Sequence, residues 1–302
     1  MDGLIFVIAN PAAGHGRGAR VLAAVARATA SRRNVVIQVT RAAGDETKLA
    51  QRALAQGAHT VVAVGGDGTW SKVAAALLQS ERRPPLALIA AGTGNDFAKT
   101  VGAPARDIER TLALIASGDT RRVDAGTVEG RFFLVCCGFG FDTAVLERMQ
   151  SVRRIRGSAR YVYAALRELR AYDGIDVSIA AGARIGSGNA GRRLLMLVIA
   201  NAQHYGGAFR IAPNASLTDG MLDCIAVSPL KTLARARLLL SATRGAHLRS
   251  PAVREYQSAW FDLRFAAPPV CNLDGDLHQA RSKTVRVECL PAALTVVAPA
   301  RG

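Results

Sequence analysis

The chain holds 302 residues, half of them hydrophobic, and 39 Lys plus Arg against 23 Asp plus Glu give a formal net charge of +16. That length and apolar content exclude a disordered or fibrous chain and leave room for one large or two medium domains with a sizeable core. The positive field attracts polyanions, whether nucleotides, nucleic acid or an anionic membrane surface, and charge alone does not choose among them.

In chain order, Leu4–Ala9 reads as a strand, Gly16–Ser31 as a helix, Val35–Thr40 as a strand and Asp45–Gln56 as a helix. The next apolar run, from Val61, enters Gly65-Gly66-Asp67-Gly68-Thr69 and is followed by a helix from Ser71 to about Gln79. Leu86–Ala90 repeats that design and ends in Gly92-Thr93-Gly94-Asn95-Asp96-Phe97, and Ile108–Ala116 reads as a further helix. This βαβα rhythm predicts a parallel sheet with helices on both faces. Near residue 125 the rhythm changes. Short strands follow at Phe132–Cys137, Ile175–Ala180, Leu194–Asn201, Leu222–Val227, Ser258–Phe265, Val285–Cys289 and Leu294–Ala298. The expected fold is therefore an α/β domain over 1–125 and an antiparallel β-sandwich over 126–290. Ala181–Arg193 reads as a hairpin loop.

Asp2 leads straight into the first strand, so no basic signal-type region is read, and no apolar run approaches the ~18 residues of a membrane helix. The expectation is a cytoplasmic protein without a spanning segment. The five cysteines show no C-x-x-C pair and sit mostly in apolar runs, which reads as buried reduced thiols.

Two glycine corners, each after a strand and before a helix, suit a phosphate. Glycine lets a ligand approach the amides closely, and a helix N-terminus favours an anion. Ends of neighbouring parallel strands are where α/β sheets place ligands. Neither corner is a Walker loop or a dinucleotide fingerprint, because the required spacings are absent. The plain alternative for either corner alone is a tight turn.

The combination Gly65-Gly66-Asp67-Gly68-Thr69 with Gly92-Thr93-Gly94-Asn95-Asp96-Phe97-Ala98 resembles the diacylglycerol kinase catalytic-domain family of lipid kinases, related to sphingosine and ceramide kinases and distantly to NAD kinases. The resemblance spans about residues 1–290. It implies an α/β nucleotide domain, a β-sandwich domain, and a last segment (about 290–302) that packs back on the first. It implies ATP and Mg²⁺ as cofactors and transfer of the γ-phosphate to a hydroxyl of diacylglycerol or a similar lipid alcohol. The nucleotide positions carried over are Asn10, Thr40, Gly65, Gly66, Asp67, Gly68, Thr69, Ser71, Thr93 and Asn95. Asp67 and Asp96 are expected to share a water network with the cation, which prefers oxygen ligands. A structural Mg²⁺ is expected at Asp219, with the carbonyls of Ser216 and Met221; without the resemblance, Asp219-Gly220 reads as a β-turn in which Asp219 bonds its own backbone.

Asp276 matches the catalytic carboxylate. The family has Glu in an Asp-Gly-Glu turn, whereas this chain has Asp274-Gly275-Asp276, one methylene shorter by about 1.5 Å. A displacement of about 1 Å can cost roughly a hundredfold in rate. Ser71 is a second departure, standing where the family often has Asn. Both departures keep open a nucleotide- or lipid-binding protein without catalysis. An NAD kinase-like enzyme is the other rival, and the Gly-Thr-Gly-Asn-Asp-Phe segment argues against it. Gly138-Phe139-Gly140-Phe141-Asp142 is read as an apolar Gly turn opening the second domain.

Glu147–Tyr172 carries seven arginines against two glutamates. It reads either as a solvated helical face or as a surface that docks on the inner face of an anionic membrane through the Arg153, Arg154 and Arg156 region. No helix-turn-helix, zinc or RNA-recognition signature accompanies the charge, which argues against nucleic acid. Self-association stays open.

Overall fold

The computed structural model describes residues 3–152, 158–182 and 192–299, and the chain divides into two compact units, Met1–Ala125 with Pro291–Gly302 and Gly126–Leu290. Arg153, Arg154 and Arg156, and most of the expected 181–193 loop, lie outside the described residues.

The first unit alternates β1 (Ile5–Ala9), α1 (Ala13–Thr29), β2 (Val35–Val39), α2 (Asp45–Ala55), β3 (Thr60–Gly65), α3 (Asp67–Leu78), β4 (Leu86–Ala90), α4 (Asp96–Val101) and α5 (Ile108–Ser117), and the chain leaves it within β5 (Thr120–Val128). The strands pair in parallel in the order β2-β1-β3-β4, so the tips of β1, β3 and β4 stand side by side. The β-branched runs of β1 and β3 are wholly buried, as strands covered on both faces require. Val21, Leu22 and Val25 of α1, with Leu112 and Ile115 of α5, pack on one face of this sheet.

In the second unit follow β6 (Arg131–Phe133), β7 (Cys136–Gly140), α6 (Phe141–Ser151), α7 (Ser158–Ala171), β8 (Ile175–Ala181), β9 (Arg192–Leu194), β10 (Met196–Ala200), β11 (Leu222–Val227), α8 (Thr232–Ala242), a 3₁₀ turn (Ala246–Arg249), β12 (Val253–Ser258), β13 (Trp260–Phe265), β14 (Val270–Leu273), β15 (Asp276–Gln279) and β16 (Thr284–Val297). An antiparallel sheet, β12-β11-β10-β7-β14-β15, faces a second layer in which β13 pairs with β8 and β16. Phe139, Leu197, Ile199, Phe261, Leu263 and Val287 meet between the layers, and Phe139 and Phe265 stack at 5.1 Å between ring centroids. The end of β16 returns to the first unit, where Val296 pairs in parallel with Leu86. All five cysteines are buried and unbridged.

Several element boundaries differ from the sequence pattern. The helix after the first corner begins at Asp67, not Ser71, because the buried Trp70 indole donates to the Ala63 carbonyl (3.1 Å) and draws the first turn down onto β3. The 132–137 run is two strands, broken where the Leu134 and Val135 amides turn to a side chain. Gly138–Gly140 is strand, not turn, and Phe141-Asp142 opens α6; Gly138 has to be glycine there because a Cβ would lie 1.9 Å from an Asp142 oxygen. The 258–265 run splits at Ala259, and the 285–289 and 294–298 runs join into β16 despite Pro291. Residues 228–257, which carry no clear periodicity, hold α8, the 3₁₀ turn and most of β12.

Candidate active site

Three loops meet at the strand tips of the first unit. The Asn10 amide N–H donates to the Val64 carbonyl (2.9 Å), and the side-chain amide reaches Thr69 Oγ1 and Glu46 Oε1 (both 3.3 Å). The Thr40 N–H donates to Ala9, bringing the end of β2 to the same edge. The Gly65 carbonyl accepts from the amides of Ala91 (2.7 Å) and Gly92 (3.0 Å) and so binds the second corner to the first. Gly66 and Gly92 then touch backbone to backbone: a Cβ on Gly92 would lie 2.4 Å from the Gly66 Cα. Only glycine at both positions allows that approach. An Asp67 carboxylate oxygen accepts the Phe97 N–H (3.1 Å), a third tie between the corners.

Most of the polar side chains gathered here are buried or half-buried. Thr69, Asn95 and Asp96 are each at most 5% exposed, and Asp96 pairs with Lys99 at 3.0 Å. The Asn95 amide nitrogen donates to the Gly92 carbonyl (3.0 Å), whereas its Oδ1 is buried with no hydrogen-bond partner. Gly66, as cap of α3, offers no side chain to cover the first-turn amides. Gly68 and Thr93 are exposed beside them, and Ser71 lies in the following turn. The Arg17 guanidinium donates to the Gly92 carbonyl (2.7 Å). Glu46 escaped the sequence reading. Its place in the first turn of α2 looks like an ordinary dipole-favoured acid, yet it is buried against Asn10 with Oε2 unpartnered.

The remaining predicted residues belong to the second unit. Asp276 opens β15 and is exposed. Its turn is rigid for a reason the sequence hid: the Asp274 carboxylate accepts three successive backbone N–H groups, from Leu134 (2.7 Å), Val135 (2.9 Å) and Cys136 (3.0 Å). Asn272, fully buried, accepts the Gly275 N–H (2.8 Å) and donates to Asp142 (3.1 Å) and to the Tyr205 hydroxyl (2.6 Å). Burial pushes the Asp142 carboxyl above its ordinary range, against the pull of the Asn272 and Thr143 hydrogen bonds.

In the 216–221 loop, Asp219 accepts the Met221 N–H (3.1 Å) and the Gln257 amide (3.0 Å), and the Ser216 hydroxyl accepts the Thr218 N–H (3.3 Å). The neighbouring Asp223 has a buried Oδ2 without a partner, and burial, with the charges of Glu255 and Asp219, pushes it up to about 7. The carboxylates of Asp219 and Asp223 are the oxygen donors that a magnesium ion takes. Among the described residues no three His, Cys, Asp or Glu side chains converge on one point, so carbonyls, waters or phosphate oxygens have to complete any such site.

Residues 4–128 match the profile of the diacylglycerol kinase catalytic domain, and residues 136–298 match the YegS C-terminal NAD kinase beta sandwich-like domain. The chain belongs to the diacylglycerol kinase catalytic-domain family. A "Probable lipid kinase YegS-like" protein of Pseudomonas aeruginosa (strain UCBPP-PA14) is 32% identical over 292 residues, 95% of this chain and 93% of that one. A "Diacylglycerol kinase" of Mycobacterium tuberculosis (strain ATCC 25618 / H37Rv) is 28% identical over 306 residues, 99% and 96% of the two chains. The fold is that of a crystallised diacylglycerol kinase from Bacillus anthracis str. Sterne, with a TM-score of 0.73 at 21% identity over 98% of this chain and 97% of that one. Lipid-kinase family membership thus rests on both domains. No helix among the described residues is long and apolar enough to cross a membrane.

Proposed function

We propose that this chain is an ATP- and Mg²⁺-dependent lipid kinase that phosphorylates a hydroxyl of diacylglycerol or a similar lipid alcohol. The observation that carries the reading is the direct packing of Gly66 on Gly92, which joins two glycine corners into one surface. Amides and hydroxyls of Gly65, Gly66, Gly68, Thr69 and Thr93 take the phosphates; Asn10, Thr40, Ser71 and Asn95 border the nucleotide. Donors held in place by the packed corners stabilise the charge spread over a transferring phosphoryl group at little cost in reorganisation.

Asp67 and Asp96 would hold the catalytic Mg²⁺, and Asp219 with the Ser216 and Met221 carbonyls would hold a structural one. When bound, the ion neutralises charge on the phosphate oxygens. Asp276 is the general base. The acceptor oxygen attacks the γ-phosphorus, the bond to the β–γ bridging oxygen breaks, ADP leaves, and the hydroxyl proton passes to Asp276. Asp274 and Asn272 fix the turn on which that carboxylate stands.

Asp276→Asn is expected to lower turnover by about 10²–10⁴-fold while ATP still raises the melting temperature. Radiolabelled ATP with detergent-solubilised lipids and NAD, followed by thin-layer separation, gives the measurement. Undiminished labelling by Asp276→Asn places the base elsewhere. Labelled NADP in place of a lipid spot makes the chain an NAD kinase, and bound ATP with no product makes it a binding protein.

A further inference from the structure

Among the described residues, the two most exposed large apolar side chains are Leu233 (64%) and Leu240 (67%), both on α8. Seven positions apart, they lie on one face of the helix, and Ala236 and Arg237, at the third and fourth positions between them, are exposed on the same face. The opposite side is fixed. Arg235 donates to the carbonyls of Leu169 (3.1 Å) and Tyr172 (2.7 Å) at the end of α7 and to that of Leu230 (2.7 Å). The helix is thus seated through one face and presents leucines with the other.

The adjoining helix α7 carries the same pattern. Tyr163, Leu166, Arg167 and Arg170 are exposed at the same spacing. The one acid of α7, Glu168, is 5% exposed and ion-paired with Arg148 of α6, so its charge is withdrawn from that face. From Cys224 to Arg254 the chain has six Lys or Arg residues and no acid at all.

We propose that the exposed face of α8, with α7 beside it, is the surface that docks this chain on an anionic lipid bilayer. Leu233 and Leu240 enter the boundary between headgroups and acyl chains, and Arg237 and Arg244 sit on lipid phosphates. The proposal rests on the lipid-kinase reading for its purpose, since a membrane-resident acceptor has to be met at the bilayer. Its evidence is separate: two exposed leucines with an exposed arginine between them, on a helix without an acid, join apolar area to attraction for anionic lipid. At 11 residues, about 16 Å, α8 lies in the interface and does not span it. A second copy of the chain is the poorer occupant, because self-pairing of this face would set Arg237 and Arg244 against like charge. Nucleic acid would leave the leucines unused.

The test is sedimentation of the full chain with vesicles of phosphatidylcholine alone or mixed with phosphatidylglycerol. The wild type is expected to partition onto the mixed vesicles. Leu233→Ser with Leu240→Ser lowers the partition coefficient at least about tenfold, and Arg237→Gln or Arg244→Gln lowers it about fivefold each. All these positions are exposed, so thermal unfolding and the ATP-induced rise in melting temperature stay at the wild-type values. Equal sedimentation of the double leucine variant overturns the proposal, and so does a wild type that ignores anionic vesicles. A wild-type dimer in light scattering that the leucine changes dissociate reassigns the face to self-association. Failure of the kinase reading gives a different result, no labelled lipid with leucine-dependent vesicle binding intact, so the two outcomes separate.

Discussion

Asp67 and Asp274 occupy look-alike sequences, Gly66-Asp67-Gly68 and Leu273-Asp274-Gly275, yet the two turns are held in different ways. The first is packed backbone on backbone, with Gly66 against Gly92 and the Asp67 carboxylate taking one amide from the other corner. The second is held by side chains: Asp274 takes three amides and Asn272 takes a fourth. The difference sorts the turns by what they leave over. A backbone-packed corner carries no side-chain cap on the first turn of its helix, where the Thr69 N–H is taken up by the Gly66 carbonyl (3.0 Å), and this suits an anion. A side-chain-clamped turn leaves one exposed carboxylate, Asp276, on a rigid base, which suits a group that moves a proton.

The sharpest way to break this contrast is Asp274→Ala. Three half-buried N–H groups lose their acceptor together, and unsatisfied buried donors cost about 1–3 kcal/mol each before water partly rescues them. Denaturant unfolding is expected to register a loss on the order of 3 kcal/mol. Turnover should fall with it, since Asp276 loses its support. A variant as stable as the wild type would mean that the Asp274 clamp is incidental.

Gly92→Ala tests the other member. The added methyl meets the Gly66 Cα at 2.4 Å and Asn95 Oδ1 at 2.9 Å, and the first of these is backbone that cannot swing aside. Overpacking of this kind costs about 1–3 kcal/mol, and spreading the corners should also weaken the thermal shift produced by ATP. Stability lost with ATP binding intact would detach the glycine contact from the nucleotide.

The same contrast explains what is legible in the sequence. The α/β-then-β order, both glycine corners and the Asp219-Gly220 turn can be read from sequence because strand runs, Gly-Asp turns and helix periods are local signals. Asp274 as a clamp cannot: its partners at 134–136 lie about 140 positions away, and no local pattern marks a carboxylate that takes distant amides. Glu46 and Asn272 were hidden for the same reason. Helix α8 went unread because its leucines face both the protein and the solvent, which erases the 3.6-residue alternation that reveals a helix. The Asp67 start of α3 was missed because a buried Trp70, not a capping side chain, sets it.

The smallest expected effect comes from a third turn of the clamped kind. Glu129, at φ +49 between β5 and β6, accepts the Arg281 N–H (2.9 Å) and pairs with the His278 ring (3.1 Å). Burial alone would push its carboxyl up, but the Arg281 amide and the His278 contact outweigh that and hold it below the ordinary value of 4.5. A carboxyl lowered on folding stabilises the native state at pH values above 4.5, and that contribution is lost as pH falls through its folded value. Glu129→Gln should therefore be less stable than the wild type near neutral pH, and the two unfolding free energies should converge as the solution is acidified below 4.5. Parallel curves across that range would show that the Glu129 turn is held by its backbone, like the glycine corners, and would move it to the other side of the comparison.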